Sequence, residues 1–272
     1  MLHEGTFSTG TVDLHYAAAA DDGPPLLFLH GVMSRWQSWL HIMPAFANRW
    51  QLHALDFRGH GESGRTPGAY RATDYAADVI AYLREQVQQP AVIVGHSLGA
   101  IVTIAVAADA PELVRAVVLE DPPLGAFSDQ SLSNRPENPR FRASYELVRQ
   151  GLSRAELEAQ LAAVPPQMDA ARRRFRAQNL ASLDPAVLDA VLSDRSKEGY
   201  DLDRCLGQIA APVLLLRGNE AHGGALDEGR AQHAAALLRD CAHVYFPDAG
   251  HGIKEAQPLE YGQVVNAFLE SL

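Results

Sequence analysis

Cysteine is scarce in this chain. Only Cys205 and Cys241 occur, and no Cys-x-x-Cys spacing exists, so neither a zinc site nor a redox-active dithiol is expected. The absence of a disulfide framework favours a reducing, cytoplasmic setting. Cysteine catalysis is disfavoured as well, because neither cysteine follows a recognisable strand–turn–helix pattern. We expect no metal and no organic cofactor.

Long apolar runs are also absent. The apolar stretches are short and are interrupted by glycine, proline or charge. None reaches the roughly 20 residues that a membrane-spanning helix requires. Residues 1–5 lack the basic start and the apolar stretch of a secretion signal. The sequence therefore predicts a protein with no membrane partner.

Basic charge is in deficit. The chain has 23 Lys and Arg against 33 Asp and Glu, a formal net charge of −10. Residues 124–204 hold 12 basic and 12 acidic residues, so the rest of the chain carries the whole excess. An acidic body disfavours nucleic acid as a partner. A small-molecule substrate is expected instead, with the chain acting as a monomer or homodimer.

What the chain does have is an alternation of short apolar runs with helical segments. Its 272 residues fit one large α/β domain. After a hairpin at 6–16, strand-like runs occur at 26–29, 52–57, 91–94, 114–119, 212–216 and 242–246. A helix capped by Thr73 or Asp74 is predicted through about 87, and a closing helix at 258–269. This rhythm predicts a mostly parallel central sheet flanked by helices.

Residues 124–206 break the rhythm. This segment is rich in Arg and Ala, is helical in pattern and has almost no strand-like runs. It is too long for a single crossover connection. We therefore predict a helical cap (lid) domain at 124–206, inserted into a core domain formed by 1–123 and 207–272.

The pentad Gly95-His96-Ser97-Leu98-Gly99 lies between a predicted strand and a predicted helix. A Gly-x-Ser-x-Gly motif in this position is typical of a nucleophile elbow. The turn leaves no room for side chains at its flanking positions and presents the serine hydroxyl outward. Ser97 is therefore the predicted nucleophile, and His96 is expected to be structural.

A serine nucleophile needs a base, and the base needs a carboxylate that orients it. The carboxyl ends of parallel strands meet at one edge of a sheet, where ligands bind. His251 follows the last strand between two glycines and is the predicted base. Asp121 follows one strand and precedes two prolines, whereas Glu220 follows the next strand. Both lie between Ser97 and His251 in the chain, as the order of this kind of triad requires. Asp121 is the preferred acid, because the two prolines after it would fix its loop, and Glu220 is the alternative.

An oxyanion hole needs two hydrogen-bond donors aimed at one point. The backbone N–H groups of Leu98 and Val32 are the candidates, since Leu98 opens the predicted helix and Val32 follows a strand that ends in His-Gly. A pocket is expected between the sheet and the cap. Its predicted substrate-binding residues are His30, Gly31, Trp36, Phe127, Tyr145 and His222.

Taken together, these motifs resemble the α/β-hydrolase superfamily, in its serine-nucleophile branch with a helical cap. The matching stretches are His30-Gly31-Val32, Asp56-Phe57-Arg58-Gly59-His60-Gly61-Glu62-Ser63, the pentad around Ser97, and Gly250-His251. The resemblance implies Ser97 as nucleophile, His251 as base, and Val32 and Leu98 as oxyanion donors. The chain departs from the common pattern at Ala221, where an Asp is more usual. Some branches carry the acid after the preceding strand, as Asp121 would.

The resemblance implies a hydrolase that cleaves a small carboxylic ester or lactone through an acyl-serine intermediate. Three alternatives share the fold: a carbon–carbon bond hydrolase of diketone ring-cleavage products, a hydroxynitrile lyase, and a ligand receptor. Haloalkane dehalogenases and epoxide hydrolases of this superfamily use an aspartate nucleophile. The serine at position 97 argues against both.

Overall fold

The computed structural model describes residues 2–19, 23–124, 138–163 and 168–272. Its centre is an eight-stranded sheet of β1 Leu2–Ser8, β2 Asp13–Ala19, β3 Pro25–Leu29, β4 Gln51–Leu55, β5 Ala91–His96, β6 Val114–Glu120, β7 Val213–Gly218 and β8 Cys241–Phe246. The strand order is β1-β2-β4-β3-β5-β6-β7-β8. β1, β2 and β4 pair antiparallel in turn, and from β4 to β8 each strand runs parallel to its neighbour. The predicted mostly parallel sheet is confirmed.

The inner strands are apolar because both faces of the sheet are covered. Every residue of β3 and of β7 is buried, as expected for parallel strands with helices on both sides. Side chains alternate along each strand. Leu27 and Leu29 pack into one core cluster, whereas Leu26 and Phe28 pack into a second cluster on the opposite face.

Ten α-helices accompany the sheet in the described part of the chain. They are α1 Ala72–Tyr82, α2 Leu98–Asp109, α3 Asn138–Val148, α4 Arg154–Ala162, α5 Ala170–Ala181, α6 Pro185–Leu192, α7 Leu202–Gln208, α8 Glu228–Leu237, α9 Ile253–Ala256 and α10 Pro258–Glu270. None of these described helices combines the length and apolarity needed to cross a bilayer.

Helix α1 begins earlier than the sequence predicts, and the helical run ends at Val87 as predicted. The carboxylate of Asp74 accepts the backbone N–H of Arg71 at 2.9 Å and also binds its guanidinium, so the helix starts at Ala72. It ends at Tyr82, and residues 83–87 continue as a wider π-helical turn. An acidic side chain in the first turn thus fixes the start of the helix from inside it.

Helices α3 to α6 lie in the chain between β6 and β7. Leu157, Leu180 and Leu188 from these helices join the same core cluster that covers one face of the sheet. Asp184 caps α6 and ties it to the loop after β4. Its N–H donates to the carbonyl of Gly59 at 2.8 Å, and its carboxylate accepts a hydrogen bond from the hydroxyl of the buried Tyr70 at 2.6 Å. A separate cap domain at 124–206 stays a prediction.

Candidate active site

The tight turn at Ser97 joins β5 directly to α2. Ser97 has φ 54° and ψ −112°, a left-handed conformation that costs a non-glycine residue about 1–3 kcal/mol. A Cβ on Gly95 would collide with the carbonyl of Gly99, and a Cβ on Gly99 with the carbonyl of Leu29. The two glycines are therefore required by close backbone approach. They bring the start of α2 against the end of β3.

His251 lies in the loop after β8, beside the serine. Its Nε2 is 3.0 Å from Ser97 Oγ, and its Nδ1 is 2.7 Å from Asp121 Oδ2. A carboxylate only accepts hydrogen bonds, so Nδ1 carries the proton and Nε2 is left to accept from the serine hydroxyl. The three side chains thus form one continuous hydrogen-bonded chain, in the order that proton transfer requires.

The carboxylate of Asp121 is held by the backbone at the end of β7 and in the loop that follows it. Gly218 N–H donates to Oδ1 at 3.0 Å, and Ala225 N–H donates to Oδ2 at 2.7 Å. Asp121 is fully buried and has φ 43°. Hydrogen bonds from backbone N–H groups stabilise the ionised form of a buried carboxyl group. The acid is thus fixed in position independently of its bond to His251.

Glu220, the alternative acid, lies elsewhere. It begins a single 3₁₀ turn after β7, and its side chain is exposed. No hydrogen bond joins it to His251 among the described residues. The same loop contributes backbone donors to Asp121 rather than a second carboxylate to the histidine. The structure therefore brings Asp121, and not Glu220, together with His251.

The loop after β3 lies against the serine. A Cβ placed on Gly31 would be 3.2 Å from Ser97 Cβ. Beside it, the N–H groups of Val32 and Leu98 donate to no other group of the described residues. Val32 and Leu98 are partly exposed. Two backbone donors without a partner among the described residues therefore lie near the serine, one at the start of α2 and one next to Gly31 in the loop after β3.

His30 shapes that loop from beneath. Its Nδ1–H donates to the Gly31 carbonyl at 2.8 Å, and its Nε2 accepts the Phe57 N–H at 3.1 Å. The ring is fully buried, and burial lowers its pKa, which keeps it neutral. Both ring nitrogens are thus used by the protein backbone. This differs from the predicted substrate-binding role, since neither ring nitrogen of His30 is left for a ligand.

The other predicted substrate-binding residues have different surroundings. Trp36 is 2% exposed and packs in the second core cluster with Phe28, so its side chain is a core residue rather than the predicted substrate-binding residue. Tyr145 is half-buried on α3, and His222 is exposed in the turn after β7. Phe127 lies outside the described residues.

Two further features near the site were missed by the sequence analysis or assigned no function. The Nε2–H of His96 donates to the backbone carbonyl of His251 at 2.8 Å, which holds the base loop against the turn at Ser97. Burial lowers the pKa of His96 well below its usual range, so the ring is neutral. Glu120 and Lys254 form a buried ion pair beside Asp121 and His251. The glutamate that ends the apolar run of β6 was the available sequence signal.

The described residues include no cluster of three or more histidine, cysteine or acidic side chains arranged to hold a metal ion. The site consists instead of a hydroxyl, an imidazole, a carboxylate and two free backbone donors. This set suits nucleophilic attack on a polarised carbonyl group.

Comparison with known proteins places this chain in a family. A family profile described as the alpha/beta hydrolase fold matches residues 24–255. The chain is 29% identical over 256 residues to 2-(acetamidomethylene)succinate hydrolase of Mesorhizobium japonicum, covering 92% of this chain and 89% of the relative. It is 35% identical over 261 residues to pyrrolizixenacetamide deacetylase of Xenorhabdus hominickii, covering 92% of each chain.

A solved structure supports the same assignment. The crystal structure of E-2-(acetamidomethylene)succinate hydrolase superposes with a TM-score of 0.78 at 26% identity, covering 99% of this chain and 100% of that one. The family profile spans β3 to β8, and the superposition covers 99% of the chain. The chain belongs to the alpha/beta hydrolase fold family and is related to hydrolases over most of its length.

Proposed function

We propose that the protein is a serine hydrolase that acts through an acyl-serine intermediate, with Ser97 as nucleophile, His251 as base and Asp121 as acid. One observation carries the proposal: the hydrogen-bonded chain from Ser97 Oγ to His251 Nε2 at 3.0 Å, and from His251 Nδ1 to Asp121 Oδ2 at 2.7 Å. Each member has the neighbour that its role requires.

In the acylation step, His251 takes the hydroxyl proton of Ser97 as Oγ attacks the substrate carbonyl carbon. The carbonyl oxygen becomes an oxyanion, which the N–H groups of Val32 and Leu98 stabilise. Loss of one such donor typically costs about 10²–10³ in rate. Asp121 stays ionised and stabilises the imidazolium.

The tetrahedral intermediate then collapses. The bond to the leaving group breaks, and His251 Nε2–H gives its proton to the departing oxygen or nitrogen. Water attacks the acyl-serine by the same route in reverse, with His251 again as base. The carboxylic acid leaves and Ser97 regains its proton.

The proposed substrate is a small carboxylic ester or lactone. The amide of an N-acetylated compound is the second candidate, because the names of both relatives contain an acetamide group. Both classes present the carbonyl carbon that the mechanism attacks. They differ only in whether His251 protonates an oxygen or a nitrogen as the bond breaks.

We further propose that α3 to α6 act as the cap over this site. Arg35, three residues after Val32, donates from Nε to Asn179 of α5 at 3.1 Å. Its guanidinium also lies 5.7 Å from the ring centre of Phe175 on the same helix. Helix α5 is thus bonded to the chain that continues from Val32, which supports a cap that packs against this side of the site.

Ser97→Ala tests the proposal. The wild type should react with a fluorophosphonate probe and hydrolyse p-nitrophenyl acetate, and Ser97→Ala should lose both, with kcat lower by at least about 10³-fold. The exposed Ser193→Ala is the matched control and should keep both. Retained labelling in Ser97→Ala would contradict the assignment. A higher kcat/KM for p-nitroacetanilide than for the ester would select the amide candidate.

A further inference from the structure

A buried ion pair lies directly behind the proposed triad. Glu120 is the last residue of β6, and Lys254 lies in the short helix α9; their side chains are 0% and 1% exposed. Lys254 Nζ is 3.3 Å from Glu120 Oε2. The backbone N–H of Lys254 donates to Oε1 of the same carboxylate at 3.0 Å. Both oxygens of Glu120 are therefore directed at one residue.

Lys254 is bound through its other polar groups as well. Its carbonyl accepts a hydrogen bond from His41 Nε2 at 2.9 Å. Its ammonium lies 3.0 Å from Glu255 Oε1 and 4.5 Å from the ring centre of Trp39. Trp39 belongs to the turn that follows the oxyanion loop. Lys254, which follows the loop of His251 in the chain, thus contacts the last residue of β6 and the chain beyond the proposed oxyanion donors.

Stability alone does not account for this pair. Taking a carboxylate and an ammonium out of water is costly, and well-packed apolar residues often serve as well or better. Burial raises the pKa of Glu120 to about 7, opposed by the nearby Lys254 ammonium. Glu120 Oε2 has no hydrogen bond among the described residues, so that ammonium is its main counter-charge. What the pair does achieve is a fixed geometry.

The fixed geometry concerns the base. Glu120 and Asp121 are consecutive, and successive side chains at a strand end point to opposite sides. Asp121 holds His251 on one side, while Glu120 holds Lys254, three residues later, on the other. The chain from His251 to Lys254 is therefore fastened at both ends to the tip of β6. Gly250 and Gly252 flank His251, so the loop itself supplies little stiffness.

We propose that Glu120 and Lys254 are positioning residues that hold the His251 loop, so that His251 Nε2 stays in reach of Ser97 and Nδ1 in reach of Asp121. This inference rests on the proposed function. Neither residue touches the reacting atoms. A displacement of about 1 Å in a catalytic group can cost about 10² in rate, so a modest shift of this loop would be visible in kcat.

Two variants test the pair. Glu120→Gln keeps the shape of the side chain and an oxygen for the Lys254 N–H but removes the charge. Lys254→Met keeps the length but removes the ammonium. Each should lower kcat on p-nitrophenyl acetate and the fluorophosphonate labelling rate by about 10- to 10²-fold, with KM little changed. The double variant should lose no more than the worse single variant, because the two residues act as one unit.

Asp78→Asn is the matched control. Asp78 is a buried carboxylate that binds Arg58 through two 2.6 Å hydrogen bonds, on α1. It should lower Tm yet keep the wild-type kcat and labelling rate well below Tm. If Glu120→Gln and Lys254→Met behave in the same way, the pair is structural only and the inference is overturned. A wild type that is not labelled at Ser97 overturns the proposed function itself.

Discussion

The charge of Asp121 is maintained by its surroundings rather than by water. Its carboxylate is fully buried and accepts the N–H of Gly218, the N–H of Ala225 and the Nδ1–H of His251. An isosteric amide at this position would place an NH₂ group against one of these donors. The histidine would then lose the acceptor that fixes its tautomer.

Asp121→Asn should therefore lower kcat on p-nitrophenyl acetate by about 10⁴-fold, because the imidazole would turn to the wrong tautomer while the fold remains. Glu220→Gln, at the exposed alternative position, should stay within about twofold of the wild type. Steady-state kinetics of the two purified variants decide between them. A collapse of kcat in Glu220→Gln alone would reverse the assignment of the acid.

Ser97 and His251 could be located from the sequence because glycines mark the tight turns around each of them. The sequence favours Asp121 over Glu220 but leaves Glu220 open as the alternative, since both follow strands whose carboxyl ends meet at one edge. What separates them is the path of the loop after β7, which turns its N–H groups toward Asp121. Spacing does not encode that path. The burial of Trp36 could not be predicted either, because residue spacing does not report the path of the loop after β3.

At the scale of elements, the turn between β5 and α2 is tightly constrained. The carbonyl of Leu29 lies where a side chain on Gly99 would begin. Gly207 on α7 is different: nothing lies within 4 Å of a Cβ placed there, and its φ is not positive. Gly99 is therefore required by close packing, whereas Gly207 is an ordinary helix glycine that a larger residue could replace.

Gly99→Ala should lower the free energy of unfolding by about 3 kcal/mol, because backbone must move to admit the methyl group. It should also abolish fluorophosphonate labelling. Gly207→Ala should raise stability by about 0.5–1 kcal/mol, since alanine is the better helix former. Urea unfolding of both variants measures the difference. Equal stability of the two would contradict the steric account.

The fold was more predictable than the site at this scale. β3, β5 and β7 are apolar runs because both of their faces are covered, so their positions follow from the local run of apolar residues alone. The start of α1 did not, because the Asp74 carboxylate reaches back to Arg71 and shifts the cap by side-chain bonding. Propensity does not report such a bond.

At the scale of the whole molecule, buried histidines link folding to pH. Burial lowers the pKa of His53 to about 4 and that of His60 to about 3, with smaller effects from His3 and His30 respectively. Both rings stay neutral in the folded protein at pH values where the unfolded chain binds a proton. The stability of the fold with both rings neutral is fully present above the unfolded histidine pKa of about 6.5. It is lost as the pH falls from there through the folded pKa.

As the pH is lowered from about 6 to about 4.5, each of these histidines should make the free energy of unfolding fall by about 1.4 kcal/mol per pH unit. His53→Gln should reduce that slope by the share of one histidine. Urea unfolding of wild type and variant at several pH values gives the two slopes. Parallel slopes would show that His53 binds its proton equally well in the folded protein.

The way in which Asp121 is held also bears on how this protein could change its substrate. The loop after β7 contributes only backbone N–H groups to the acid, whereas the side chains of Glu220, Ala221 and His222 are exposed. Asn219 shapes the turn through bonds to Pro247 and Ala221 and should be kept. Positions 220–222 are therefore open to wide sequence variation at the rim of the site. Substitutions at these positions can change which substrate is accepted, while Asp121 keeps its backbone hydrogen bonds.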